Sequence, residues 1–195
     1  MDTGSIINKV KNKKIIFFGE IHGTKEIPER IRDICDVLLI KGDKILYALE
    51  LPVEIESKLN KFLKKEISEE ELIKDKLLKD PISDGRFTPS LLKSIKYLSC
   101  DNAIFKCIDS LEGNVADRDG NMAKRLIKMV KMYPDHKIIV HLGNFHVSSK
   151  KVKFDGKTFK PLKLFMPRDL LNKSVTFVYN IKGSYFNQGL RKVIT

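Results

Sequence analysis

Residues 17–23 read FFGEIHG and residues 140–147 read VHLGNFHV, so two apolar runs each end on Gly-x-x-His. In an extended segment residues two apart point to the same side, which sends Glu20 and His22 out together. A carboxylate beside an imidazole suits two chemistries: the acid orients a general base, or both groups ligate one metal ion. Only the first motif carries the glutamate; the second presents His146 after Gly143-Asn144-Phe145. The glycine in each motif lets the chain leave a strand sharply or lets another group approach the backbone closely. Two more acids close apolar runs, Glu50 after LYAL and Asp109 in AIFKCIDS. Either acid is a site residue or a hydrogen-bonding strand end, and Glu50 also suits the start of a helix.

Elements must bring these residues together. KKIIFFG (13–19), KILYALEL (44–51), AIFKCIDS (103–110), KIIVHLG (137–143) and VTFVYNI near the end have strand length and apolar character. The first two flank a segment in which Ile31, Ile34, Cys35, Leu38 and Leu39 recur at helical spacing before Gly42, a strand-helix-strand unit that favours a parallel pair. Helices are predicted over 53–65 and 69–79, the second with Ser68 and Glu71 as a capping box, over PSLLKSIKYLS with Pro89 in its first turn, over AKRLIKMVKMY, and briefly over PRDLLN. DPISDGRFTPS reads as turns. The fourth strand is apolar throughout, as expected of a central strand buried on both faces. This order predicts an α/β fold in three layers, a mostly parallel sheet with helices on both faces. Ligands of such sheets bind beyond the carboxyl ends of the strands, where Glu20, His22, Glu50, Asp109 and His146 would gather.

Length and composition bound the rest. A chain of 195 residues, 42% hydrophobic and 32% charged, suits a single domain over 1–195. No segment approaches the roughly 18 consecutive apolar residues of a membrane span. The basic start before IIFF resembles a signal peptide, but that run is shorter than an h-region of about 7 residues, and a cytoplasmic protein is expected. Cys35, Cys100 and Cys107 are odd in number and lack Cys-x-x-Cys spacing, which fits reduced, mostly buried thiols. The net charge of +12 comes mainly from dispersed lysines without aromatic and arginine interleaving, so a solvated surface is expected rather than a specific nucleic-acid groove. His141 lies inside IIVHL and reads as a core residue or a support behind the site rather than a ligand, His136 as an exposed turn residue, and Met122, Leu126, Met129 and Val130 as a core stripe.

Gly19-Glu20-Ile21-His22, Glu50 before Leu51-Pro52, Arg118-Asp119-x-Asn121-Met122-Ala123 and Gly143-Asn144-Phe145-His146 occur in this order. Together they resemble the signature of the EreA/ChaN-like superfamily, which groups erythromycin esterases, ChaN-type haem-binding proteins, and TraB and Tiki proteins. Asp84-Gly85-Arg86-Phe87-Thr88 is similar to a segment of compact relatives, and the likeness extends more weakly to Gly183. The resemblance implies an α/β fold with Glu20, His22, Glu50, Arg118 and His146 lining one pocket. It implies a hydrolase of ester, amide or related acyl bonds acting on a small-molecule or peptide substrate. His22 would be the general base, oriented by Glu20 or Glu50, with His146 as second acid or base. Arg118, with Arg86 as a weaker candidate, would hold a substrate oxyanion or carboxylate. Asp109, also a candidate for substrate binding, would hydrogen-bond Arg118 or a metal-bound water. The Tiki-type relatives imply a divalent metal on Glu20, His22, Glu50 and His146. The ChaN-type relatives imply haem binding without catalysis as the alternative. The chain lacks the long helical insertions that shape a macrolide pocket in the esterases, which argues against an antibiotic substrate.

Overall fold

The computed structural model describes residues 3–110, 117–154 and 156–180; Gly183, at the weak end of the resemblance, lies outside them. Five strands form one sheet: β1 (Ile15–Glu20), β2 (Lys44–Pro52), β3 (Ala103–Asp109), β4 (His136–Gly143) and, after a small hairpin of β5 (Val152–Phe154) and β6 (Lys157–Phe159), β7 (Ser174–Val178). Their order across the sheet is β3-β2-β4-β1-β7, and every neighbouring pair is parallel. β4 sits at the centre, buried from Ile138 to Gly143. Its unbroken apolar run follows from having side chains covered on both faces.

Alternation along the strands sorts the core into two halves. Ile16, Phe18, Ile45, Tyr47, Leu49 and Ile139 pack with α1 (Thr3–Val10), α2 (Glu26–Ile40), α3 (Glu56–Leu63) and α6 (Pro89–Tyr97). Ile15, Phe17, Leu46, Ala48, Ile138 and Val140 pack on the other face with Met122, Ala123 and Leu126 of α7 (Arg118–Met132), and with Leu162 and Met166. The fold is therefore the predicted three-layer α/β architecture, and Met122 and Leu126 are core as expected. Cys35 and Cys107 are buried and Cys100 is exposed. No helix among the described residues is long and apolar enough to cross a membrane.

Several elements differ from the sequence reading. The start of the chain forms α1, which buries Ile6, Ile7 and Val10. The helix predicted over 69–79 breaks after α4 (Glu69–Ile73), because the Asp75 side chain accepts from the Leu77 N–H at 2.9 Å and starts a 3-10 turn; α5 (Lys79–Ser83) follows inside the segment read as turns. The Ser68 half of the capping box forms, accepting from Glu71 N–H at 3.1 Å. α7 begins at Arg118 rather than Ala123 and α8 (Arg168–Asn172) matches the short segment PRDLLN. His136 is partly buried at the start of β4, edge-on to Tyr133 at 5.4 Å, and so is a strand residue rather than an exposed turn.

Candidate functional site

The register of the parallel ladder brings the two motifs together. Gly19 pairs with Leu142 and Glu20 with Gly143, so β1 and β4 end side by side and their Gly-x-x-His segments leave the sheet at one edge. Neither glycine there has a left-handed backbone; each is required by close approach. A Cβ on Gly143 would lie 2.8 Å from His22 Nε2, and one on Gly19 would lie 2.4 Å from the Val147 side chain. β2 reaches the same edge with an irregularity between Leu49 and Pro52, where Glu50 sits. Such a bulge re-aims a side chain that regular pleating would place elsewhere. β3 ends there on Asp109, and the first turn of α7 adds Arg118 and Asp119.

Glu20, His22, Glu50, Arg118, Asp119, Gly143 and His146 line a cavity of about 740 Å³ that also includes Asp84, Arg86, Phe145, Phe159 and Pro161. Carboxylates and imidazoles alternate along its lining. His22 Nδ1 meets Glu20 Oε1 at 3.2 Å, and its Nε2 lies 3.4 Å from Glu50 Oε2. Glu50 Oε1 is 3.2 Å from His146 Nε2, whose Nδ1 bonds Asp119 Oδ1 at 2.7 Å. Asp119 is itself fixed by the Leu162 N–H at 2.7 Å. Glu50 is only 5% exposed, so its charge must be matched: Gly143 N–H donates to Oε2 and Arg118 Nη2 to Oε1, both at 2.7 Å. Arg118 also donates Nε and Nη2 to Asp109 at 2.8 and 2.6 Å, and Arg86 bridges Asp109 and Asp84 at 2.7 Å each. Behind Glu20, Thr24 donates to Oε2 at 3.0 Å, and His141 Nε2 lies 3.2 Å from Oε1, off the line of a well-formed hydrogen bond. Tyr47 Oη contacts His141 Nδ1 at 3.0 Å, and burial pushes its phenol well up, so the hydroxyl keeps its proton.

Charge pairing overcomes burial at four groups of this site. Burial alone would lower the His22 imidazole, but Glu50 and Glu20 raise it to about 10. Burial opposes His146 likewise, and Glu50 and Asp119 lift it to about 9. Against a burial effect of the opposite sign, His141 and His22 hold Glu20 down at about 2, and His146 and His22 hold Glu50 well below the carboxylate range. At neutral pH the resting site is thus imidazolium and carboxylate, alternating.

No family model matches the chain, and no curated protein matches it in sequence. Solved structures do. A variant of the erythromycin esterase EreC in its open conformation superposes with a TM-score of 0.69, at 16% identity, over 91% of this chain and 73% of that one. ChaN of Campylobacter jejuni, described with cofacial haem binding, gives 0.52 at 12% identity over 98% of this chain and 90% of that one. The fold is EreA/ChaN-like. The Pasteurella multocida toxin, described as having a thiol-protease-like catalytic triad in its C-terminal region, gives 0.62 at 14% identity over all of this chain (100%) and 27% of the toxin. At these identities the likeness is one of fold.

Within this EreA/ChaN-like fold, Glu20, His22, Glu50, Arg86, Arg118 and His146 line one cavity, and Asp109 stands behind it holding both arginines. His141 is a core residue, as expected, and touches Glu20. The sequence reading gave no role to Asp119, Asp84, Thr24 or Tyr47. Asp119 lay inside the quoted motif, one residue from Arg118, but the choice of partner depends on where α7 starts. The metal arrangement on Glu20, His22, Glu50 and His146 does not fit this geometry. Among the described residues no three His, Cys, Asp or Glu are grouped to hold an ion, and both Glu50 oxygens already accept from Arg118 and Gly143.

Proposed function

We propose that this cavity hydrolyses an ester, amide or related acyl bond of a small molecule or peptide. The observation that carries the reading is His22, held between Glu20 and Glu50 at 3.2 and 3.4 Å and facing the cavity. Glu20 fixes the ring through Nδ1, which leaves Nε2 as the working nitrogen. The Glu50 contact is the longer one, and a water displacing it would give its proton to the neutral form of His22 while its oxygen attacks the carbonyl carbon. The tetrahedral intermediate then collapses, and the leaving oxygen or nitrogen takes a proton from His146, which Asp119 orients. Arg118 and the Gly143 N–H hold Glu50 in place between the two imidazoles.

Because His22 must be neutral and His146 protonated, kcat/KM for a simple ester should trace a bell on the alkaline side, between the raised values near 9 and 10. Removing the shared carboxylate lowers both imidazoles, so Glu50→Gln should move both limbs to lower pH. His22→Ala should lose turnover by roughly 10²- to 10⁴-fold, the usual worth of a positioned base. Wild-type turnover in His22→Ala would remove the base from the reading. Haem, bound by the ChaN neighbour, is the alternative ligand. Here both ring nitrogens of His22 and of His146 already face carboxylates, which favours proton transfer over iron ligation. A Soret shift on titrating the protein with haem would reverse that order.

A further inference from the structure

Two kinds of lining residue define the substrate. Four carboxylates, Glu20, Glu50, Asp84 and Asp119, stand with two arginines and with the His22 and His146 imidazoles, each imidazole paired with two of the carboxylates. Both arginines are engaged with acids: Arg86 bridges Asp84 and Asp109, and Arg118 bridges Asp109 and Glu50. Asp109 is only 2% exposed and cannot readily turn away to release a guanidinium. A substrate carboxylate or phosphate would have to displace Asp84, Asp109 or Glu50 from these arginines while also facing Glu20 and Asp119, and both imidazoles are already paired with carboxylates. An uncharged carbonyl meets no such penalty and can still accept a hydrogen bond.

Other residues of the lining are apolar. Ile21 and Phe145 immediately precede the two site histidines, so each Gly-x-x-His segment presents an apolar side chain beside its imidazole. Phe159 of β6 and Pro161 line the same cavity. Phe145 is 42% exposed and lines the cavity. A cavity of about 740 Å³ falls within the usual range for small-molecule sites, where apolar walls supply affinity and a few polar groups fix orientation.

We infer that the site takes uncharged esters or amides whose acyl group carries a medium-length alkyl chain or a ring, seated against Phe145 and Phe159, and that it discriminates against anionic acyl groups. This rests on the hydrolytic reading above, and the test separates the two. Binding of N-methylhexanamide and of hexanoate is compared by calorimetry at pH 7.5, in the wild type and in Phe145→Ala and Phe159→Ala. The amide should bind at least tenfold more tightly than the carboxylate, and at least one of the two substitutions should weaken it fivefold or more. In parallel, turnover of 4-nitrophenyl hexanoate is compared with that of the mono-4-nitrophenyl ester of adipic acid, the same chain ending in a carboxylate. The neutral ester should be preferred tenfold or more in kcat/KM. Amide binding without any ester turnover would end the hydrolase reading and support the substrate class. Equal or preferred use of the anionic probes, no binding of the amide, or unchanged affinity in both phenylalanine variants would overturn the substrate class, whatever the turnover.

Discussion

At the scale of single residues, the site depends as much on an absent side chain as on those present. Gly143 sits against His22 and also donates its N–H to Glu50. Gly143→Ala adds a methyl 2.8 Å from His22 Nε2 without demanding a forbidden backbone angle, so the change falls on the imidazole. Displacing a reacting group by about 1 Å is expected to reduce kcat by about 10²-fold. Steady-state kinetics of this variant, beside a thermal melt showing the fold retained, would check that expectation; wild-type kcat would mean that His22 tolerates displacement. The residue types of this site were legible in the sequence, because a strand ending on Gly-Glu-x-His is unusual chemistry for a core. Their partners were not. Glu50 lies on β2, and nothing in LYALELP announces that Gly143, His22, His146 and Arg118 all converge on it.

At the scale of elements, helix ends and strand irregularities place the groups. α7 starts at Arg118, which puts Arg118 and Asp119 on one rigid first turn beside β3 and the Leu162 backbone. On the opposite face α6 is capped by Thr88, whose hydroxyl accepts from the Leu91 N–H at 3.1 Å. Thr88 follows the Arg86 segment and is 6% exposed. Losing that cap in Thr88→Ala should destabilise the protein by about 1 kcal/mol. Urea unfolding would measure it, and a loss below about 0.3 kcal/mol would show that the cap is dispensable. Periodicity exposed the strands and α2, but α1 and the β5–β6 hairpin escaped it. Each is short, and α1 is stabilised by what it packs against rather than by its own pattern, burying Ile6, Ile7 and Val10 in the sheet's core.

For the whole molecule, the buried ion pairs couple stability to pH. Folding raises His22 to about 10 and His146 to about 9 from an ordinary 6.5, so their contribution is fully present below pH 6.5 and is lost as pH rises through 9 and 10. Burial also pushes the Cys35 and Cys107 thiols up, which acts in the same direction at alkaline pH. Folding lowers Glu20 from 4.5 to about 2, so that contribution is present above pH 4.5 and disappears as pH falls toward 2. Thermal unfolding should therefore show its highest Tm between about pH 4.5 and 6.5 and a decline toward pH 10. A Tm that holds or rises from pH 7 to 10 would contradict the charged His22–Glu50–His146 arrangement. The sequence by itself determined the layered α/β order, the central position of β4 and the residue types able to do acid-base chemistry, because local periodicity and strand-end composition encode these directly. Only the tertiary structure decided how they join. The register of β1 on β4, the bulge at Glu50 and the start of α7 depend on contacts between distant segments, and those contacts set which carboxylate faces which imidazole.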